Sequence, residues 1–282
     1  MIHVKNLRYQ YPSADKLMLR NIHFSIEKGE VFGFLGPSGA GKSTTQKILF
    51  KLLTGYEGEA KIDGKEVRDW GKDLYEKIGV GFELPNHYLK LTALENLNFF
   101  RSFYQKTHNP IELLDKVGLK NDAHKKVGDF SKGMKMRLNF VRAFLHDPEI
   151  LFLDEPTSGL DPVNAKIVKD IILDLKSSGK TIFITTHQMH DAEKLCDKVA
   201  FLVDGEIKAM DSPDNLKMKY SNRRVEVLFQ NSPEKEIFQL DGLGTNSIFL
   251  EKLRSHEIET IHSKEASLDD IFIQVTGKTL VS

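Results

Sequence analysis

The chain has 282 residues, 40% of them hydrophobic and 28% charged, the balance of a packed protein with one large domain or a large domain plus a small appendage. Its 40 Lys and Arg offset 40 Asp and Glu, so no global basic excess points to nucleic acid. One cysteine, Cys196, excludes an internal disulfide and suits a reducing compartment; the start reads without the apolar core of a signal peptide, and no run approaches the ~18 apolar residues of a membrane span.

Ile2 to Tyr11 and Ile22 to Ile26 are predicted strands, the second alternating Ile22, Phe24, Ile26. Val31 to Leu35 is a short apolar run suited to a strand buried on both faces. A glycine-rich loop, Gly36 to Gly41, then precedes a helix predicted over Lys42 to Leu53. Glu59 to Val67 reads as a hairpin around Asp63-Gly64, and Ile78 to Phe82 as another strand. Residues from about 84 to 147 read as mostly helical. There Thr92-Ala93-Leu94-Glu95 is a capping box, Ser131 caps a helix toward His146, and Asp147-Pro148 ends it.

Ile150 to Leu153 is a predicted buried strand, and Asp161-Pro162 supplies the N-cap and first-turn proline of a helix ending near Gly179. A strand over Thr181 to Thr185, a helix over Met189 to Cys196 and a hairpin over Val199 to Ala209, around Asp204-Gly205, follow. Strands alternating with helices predict an α/β fold with a largely parallel sheet. After about Pro213, strand-like pieces at Arg224 to Phe229, Ser247 to Leu250 and Ile258 to His262 precede a helix from Ser267, which reads as a small α+β appendage. The expected division is therefore 1–212 and 213–282.

Gly36-Pro37-Ser38-Gly39-Ala40-Gly41-Lys42-Ser43, with Thr44 after it, fits the P-loop pattern between a strand and a helix. Glycines let backbone N–H groups turn inward around phosphate oxygens, and the helix N-terminus favours anions. Lys42 can bridge the terminal phosphates, and the Ser43 hydroxyl can ligate Mg²⁺. Alone, this loop says only that a nucleoside triphosphate binds.

Ile150-Leu151-Phe152-Leu153 delivers Asp154-Glu155 to the carboxyl edge of the sheet, where open α/β folds bind ligands. Adjacent residues point to opposite sides of a strand. Asp154 is thus assigned to Mg²⁺, and Glu155 to orienting and deprotonating a water. Without the P-loop upstream, a strand-end cap and a solvated turn residue would be the better reading.

The segment Phe130-Ser131-Lys132-Gly133-Met134 resembles the Leu-Ser-Gly-Gly-Gln signature of the nucleotide-binding subunits of ABC transporters, and the resemblance extends over essentially the whole chain. Its Lys132 and Met134 follow the Ser-Lys-Gly-Met form common in drug and polysaccharide exporters. The resemblance implies that Ser131 and the Gly133 N–H meet the γ-phosphate bound by an opposite subunit. Ser158-Gly159-Leu160-Asp161 resembles the D-loop, which contacts that second subunit. In Thr185-Thr186-His187, His187 matches the family's switch histidine, with His190 as a nearby competitor. Tyr11 lies where the family places an adenine-stacking aromatic, and Tyr9, on the same strand face, is the runner-up. Ala266 to Gly277 resembles the closing Ser-Leu-Glu-Asp-Val-Phe…Thr-Gly of the same exporters.

One position departs. Glu83, in Ile78-Gly79-Val80-Gly81-Phe82-Glu83-Leu84-Pro85, stands where the family usually has glutamine. A carboxylate also ligates Mg²⁺, but it adds negative charge beside the γ-phosphate. Reduced but real ATPase activity is the expectation.

The resemblance implies a P-loop ABC ATPase fold with an N-terminal antiparallel β subdomain, a helical insertion and the C-terminal appendage. It implies ATP and Mg²⁺, a homodimer or heterodimer of ATPase subunits, and a transmembrane permease partner at the cytoplasmic side of the cell membrane. Docking is expected beside Glu83 to Pro85, with Phe99, Phe100, Phe103 and Tyr104 near it, although helix packing explains most of those rings. Two other readings stay open: a soluble ABC ATPase outside transport, and a binding-only regulatory subunit.

Overall fold

The computed structural model describes residues 1–220, 224–230, 232–264 and 266–277. They form two compact units, one built from Met1–Asp211 and a second that begins at Ser212.

The first unit opens with β1 (Ile2–Tyr9), β2 (Leu19–Ile26), β3 (Val31–Leu35), α1 (Lys42–Leu49), β4 (Glu57–Ile62) and β5 (Lys65–Glu66). Strands β2, β1, β4 and β5, in that order, make an antiparallel sheet. Its inward residues, among them Ile22, Phe24 and Ile26, alternate with exposed or half-buried ones, as a sheet with one buried face requires. The β4–β5 turn uses Asp63 and Gly64, both at positive φ, in the primed geometry that matches strand twist.

The chain then runs through α2 (Asp73–Lys77), β6 (Ile78–Gly81), α3 (Ala93–Arg101), α4 (Pro110–Lys116), α5 (Lys132–Ala143) and β7 (Ile150–Asp154). It continues with α6 (Pro162–Ser177), β8 (Thr181–Thr186), α7 (Met189–Leu195), β9 (Lys198–Val203) and β10 (Glu206–Asp211). These strands build a six-stranded sheet in the order β10-β9-β3-β8-β7-β6, parallel from β9 to β6 with β10 as an antiparallel edge. Strands β3 and β8 are buried along their whole length, which explains their unbroken apolar or small-residue character.

Phenylalanines join the two sheets. Phe24 of β2 lies 5.3 Å from Phe32, 5.0 Å from Phe34 and 5.9 Å from Phe183, ring centre to ring centre. The antiparallel sheet thus closes over the face of the central sheet that carries β3 and β8, and their carboxyl ends are held in register.

The predicted caps form. Thr92 and Glu95 make the reciprocal box, Asp161 accepts from the Val163 and Asn164 amides, and Ser131 accepts from the Met134 amide at 3.2 Å. Several details differ from expectation. Strand β1 stops at Tyr9, leaving Tyr11 beyond it, and α1 stops at Leu49 because Lys51 turns to φ 60°. Residues 84 to 147 hold three helices separated by long loops and short 3₁₀ turns, less helix than their composition suggests.

The second unit contains α8 (Pro213–Tyr220), β11 (Arg224–Phe229), β12 (Glu236–Gln239), α9 (Ser247–Ser255), β13 (Ile258–Lys264) and α10 (Leu268–Thr276). Its sheet has the order β12-β11-β13, antiparallel throughout. The strand expected at Ser247 to Leu250 is instead the first turn of α9. Asn246 accepts from the Phe249 amide at 3.0 Å, and Phe249 and Leu253, four residues apart, pack on Val225, Val227, Phe229 and Phe238. The capping box that opens α10, Ser267 with Asp270, buries Leu268, Ile271 and Phe272.

Candidate functional site

The P-loop spans the gap from β3 to α1. Two of its glycines are required by geometry. A Cβ on Gly36 would sit 2.1 Å from the Leu202 carbonyl oxygen, and Gly41 has φ +108° with a Cβ position 2.6 Å from Leu19. Pro37 is half-buried, Ser38 and Gly39 are exposed at the loop tip, and Ala40 and Thr44 are buried beneath it. The Lys42 ammonium curls under the loop, donating to the carbonyls of Gly36 at 2.6 Å and Pro37 at 3.0 Å. Burial pulls its pKa below the ordinary lysine range, and the carboxylates of Glu155, Asp154 and Glu83 oppose that fall. Those three acids and Lys42 therefore share one electrostatic environment.

Strands β7 and β8 end side by side, with Asp154 paired to Thr185 in the ladder. The Ser43 hydroxyl donates to Asp154 Oδ2 at 3.0 Å, and the Thr185 hydroxyl donates to Asp154 Oδ1. Glu155 turns the other way. Its carboxylate accepts from the Thr186 hydroxyl at 3.1 Å and lies 2.8 Å from His187 Nδ1. Glu155 is buried and sits at φ 49°, an uncommon conformation for a side chain of this size. Its amide donates to the Thr185 carbonyl at 2.9 Å and its carbonyl accepts from the Ser158 amide at 3.1 Å, which holds the turn. Of the two histidines near this strand end, His187 makes this contact; His190 is exposed.

Glu83, Ser43 and Asp154 line one groove of about 1100 Å³, whose other walls include Leu84, Pro85, Tyr88, Phe100, Tyr104 and Arg142. Of the expected docking aromatics, Phe100 and Tyr104 line this groove, and Tyr104 stacks on His146 at 3.8 Å. Phe99 and Phe103 lie outside its walls, ring to ring at 5.2 Å, with Phe103 63% exposed.

Tyr11 is half-buried, and its hydroxyl is 3.0 Å from Thr44 Oγ1. Tyr9 is buried in the core and meets Tyr11 edge-on at 5.0 Å. Of the two rings, Tyr11 is the less buried. Ser131 and Gly133 begin α5, and among the described residues no hydrogen bond joins them to the P-loop or to Asp154 and Glu155. They lie instead beside the D-loop: a Cβ on Gly133 would be 3.7 Å from Leu160, and one on Gly159 would be 3.1 Å from the Lys132 ammonium. The Ser131–Met134 segment and the Ser158–Asp161 turn are thus neighbours.

Several supporting residues escaped the sequence reading. Buried Gln46 donates to the carbonyls of Leu153 and Phe183, tying α1 to β7 and β8. Thr157 donates to Asp191 at 2.8 Å, and Asp191 also pairs with Lys169 at 2.8 Å, which braces the turn after Glu155 against α7. Thr185 and Thr186 were visible beside His187, but the sequence did not say that each hydroxyl serves a different carboxylate.

This arrangement can take a triphosphate with Mg²⁺. Hard oxygen donors, Ser43 Oγ and Asp154 Oδ2, are already adjacent. Mg²⁺ takes one or two carboxylates and completes its shell with phosphates and water.

A P-loop on a mostly parallel sheet, paired strand-end carboxylates and a signature helix define an ATP-binding cassette. The comparisons agree: residues 19–158 match the family model described as ABC transporter, and residues 223–265 match that of the fluoroquinolone efflux ABC transporter C-terminal domain. A fluoroquinolones export ATP-binding protein of Mycobacterium tuberculosis is 56% identical, over 99% of this chain and 94% of the relative. The linearmycin resistance ATP-binding protein of Bacillus subtilis is 34% identical over 95% and 85%. An ATP-binding cassette solved as a dimer in a post-hydrolysis state with ADP and Pi superposes with TM-score 0.69 at 29% identity, covering 75% of this chain and 98% of that one. The chain belongs to the ABC transporter family, as an ATP-binding and ATP-hydrolysing subunit. No helix of its described residues is long and apolar enough to cross a membrane.

Proposed function

We propose that this subunit powers export of a fluoroquinolone-like drug through a separate transmembrane permease, working as a dimer at the cytoplasmic face of the membrane. The cargo class rests on the 56% identical relative and on the match of residues 223–265. In this reading residues 1–212 are the ATPase domain and 213–282 an appended α+β domain.

One observation carries the hydrolytic mechanism: Glu155 is held by Thr186 and His187, while Asp154, its neighbour, is held by Ser43 and Thr185. Two carboxylates on one strand end thus have separate tasks. The P-loop amides from Gly36 to Ser43 and the Lys42 ammonium grip the phosphates, Thr44 closes the loop behind them, and Tyr11 stacks on the adenine. Ser43, Asp154 and Glu83 would hold Mg²⁺, which would supply positive charge to offset that of the phosphates. Glu155 accepts the proton of the attacking water. The water oxygen bonds to the γ-phosphorus as the bond to the β,γ-bridging oxygen breaks, leaving ADP and inorganic phosphate. His187 keeps the carboxylate aimed and hydrogen-bonds the γ-phosphate. Ser131 and Gly133 of the opposite subunit close the site, so ATP holds the two subunits together until its γ-phosphate is cleaved.

The groove beside Glu83 to Pro85 receives the permease. The test is in cells: deleting the gene should raise accumulation of a fluorescent fluoroquinolone. The intact gene should reverse this and the Glu155→Gln gene should not. Unchanged accumulation after deletion would remove this cargo class.

A further inference from the structure

The loop that carries Glu83 is fastened to the signature helix. Asn139 Nδ2 of α5 donates to the Phe82 carbonyl at 2.6 Å, immediately before Glu83. Arg142 donates to the Asn86 carbonyl at 2.7 Å, and His87 Nε2 lies 2.9 Å from the Lys135 carbonyl. Three contacts thus tie residues 82–87 to one helix, whose first residues follow the Ser131 cap.

Asn139 is the innermost of the three. It is only 3% exposed, and its Oδ1 accepts from Arg142 Nη2 at 2.9 Å, so both ends of its amide are used. Arg142 is itself fixed over the Phe100 ring at 4.6 Å. The neighbouring backbone has little freedom: a Cβ on Gly81 would lie 3.1 Å from Leu153 and 3.5 Å from Ala143. A buried amide that spans a charged group and a loop carbonyl is a rigid strut, because breaking either bond strands a buried polar atom.

We propose that Asn139 is a positioning residue that sets where Glu83 stands relative to Ser43 and Asp154. This rests on Glu83 acting at the Mg²⁺ site.

Two substitutions separate the bonds. Asn139→Leu removes both, whereas Asn139→Asp keeps the acceptor for Arg142 and loses only the donor to Phe82. The full-length chain is titrated with ATP by calorimetry, with Mg²⁺ and with EDTA, in the parent, in both variants, in Glu83→Gln and in the combined variants. Both Asn139 variants should lose about 5-fold of the Mg²⁺-dependent gain in affinity with unchanged affinity in EDTA, a size set by one hydrogen bond. In the Glu83→Gln background that loss should shrink to less than 2-fold. Amide exchange over 82–87 should also quicken in both.

Parent-like behaviour of Asn139→Asp overturns the proposal, as does an equal loss in the Glu83→Gln background. If Glu83→Gln alone changes nothing, the Glu83 reading fails and the proposal with it. If Glu83→Gln changes the Mg²⁺ response and the Asn139 variants do not, only the proposal fails.

Discussion

His187 Nδ1 and Glu155 Oε1 are 2.8 Å apart, from the ends of two adjacent parallel strands. The histidine side chain is half exposed while the glutamate side chain is 8% exposed, so the pair spans the boundary between core and site. Because the sheet sets the spacing of its strands, this contact is built into the fold.

That contact predicts a division of labour. Glu155→Gln should lower kcat by about 10² to 10⁴, the range of a lost general base, with ATP affinity within about 2-fold of the parent. His187→Ala should lower kcat by about 10² with little change in KM, since the histidine aims a group and stabilises charge that develops later. Steady-state ATPase assays at high protein concentration check both. A raised KM with unchanged kcat in His187→Ala would assign the residue to ground-state binding.

Glu83→Gln should raise turnover a few-fold and change the Mg²⁺ concentration for half-maximal rate. Glu83, Ser43 and Asp154 line the same groove, so removing one carboxylate lowers the negative charge facing the γ-phosphate. A Mg²⁺ titration of the ATPase rate is the measurement. No change in either quantity would take Glu83 out of the site.

Phe183 contacts Phe24, Phe32, Phe34 and Phe152, so it joins the two sheets of the first unit. Phe183→Ala should cost about 3–5 kcal/mol, the usual cost of a buried aromatic cavity. Urea unfolding followed by tryptophan fluorescence from Trp70, which packs against the same core, would report it. A loss below about 1 kcal/mol would mean that the sheets close without this ring.

Stability should also depend on pH through His87. Burial holds its pKa at about 4, well below the ordinary histidine value. Above pH 6.5, the ordinary histidine value, the ring is neutral in folded and unfolded chains alike and costs nothing. As pH falls from 6.5 toward 4 the unfolded chain binds the proton and the folded one does not, so stability declines, and the decline levels off near pH 4. His87→Gln should flatten that part of the melting-temperature profile, while retaining an N–H for the Lys135 carbonyl.

The site was legible where local chemistry fixes it. The P-loop glycines, the strand-end Asp154-Glu155 and the caps Thr92, Ser131 and Asp161 each stand in a short segment whose residues determine their own geometry. What escaped was long-range. Asn139 lies 57 residues from Phe82 and offers no local sign of the bond between them. The strand predicted at Ser247 failed for a related reason: Ser247 to Leu250 is too short for periodicity to decide, and the Asn246 cap together with Phe249 and Leu253 decided for helix. That Tyr9 is buried in the core while Tyr11 is half-buried was not legible in a strand pattern that put both rings on one face.

The central claim is that ATP completes a site between two copies of this surface, with Glu155 releasing them by hydrolysis. Light scattering after size exclusion, on Glu155→Gln with and without Mg-ATP, tests it most directly. The account predicts twice the 32.1 kDa chain mass with ATP and a single chain mass without it. A single chain mass in both conditions, under saturating ATP, would contradict it.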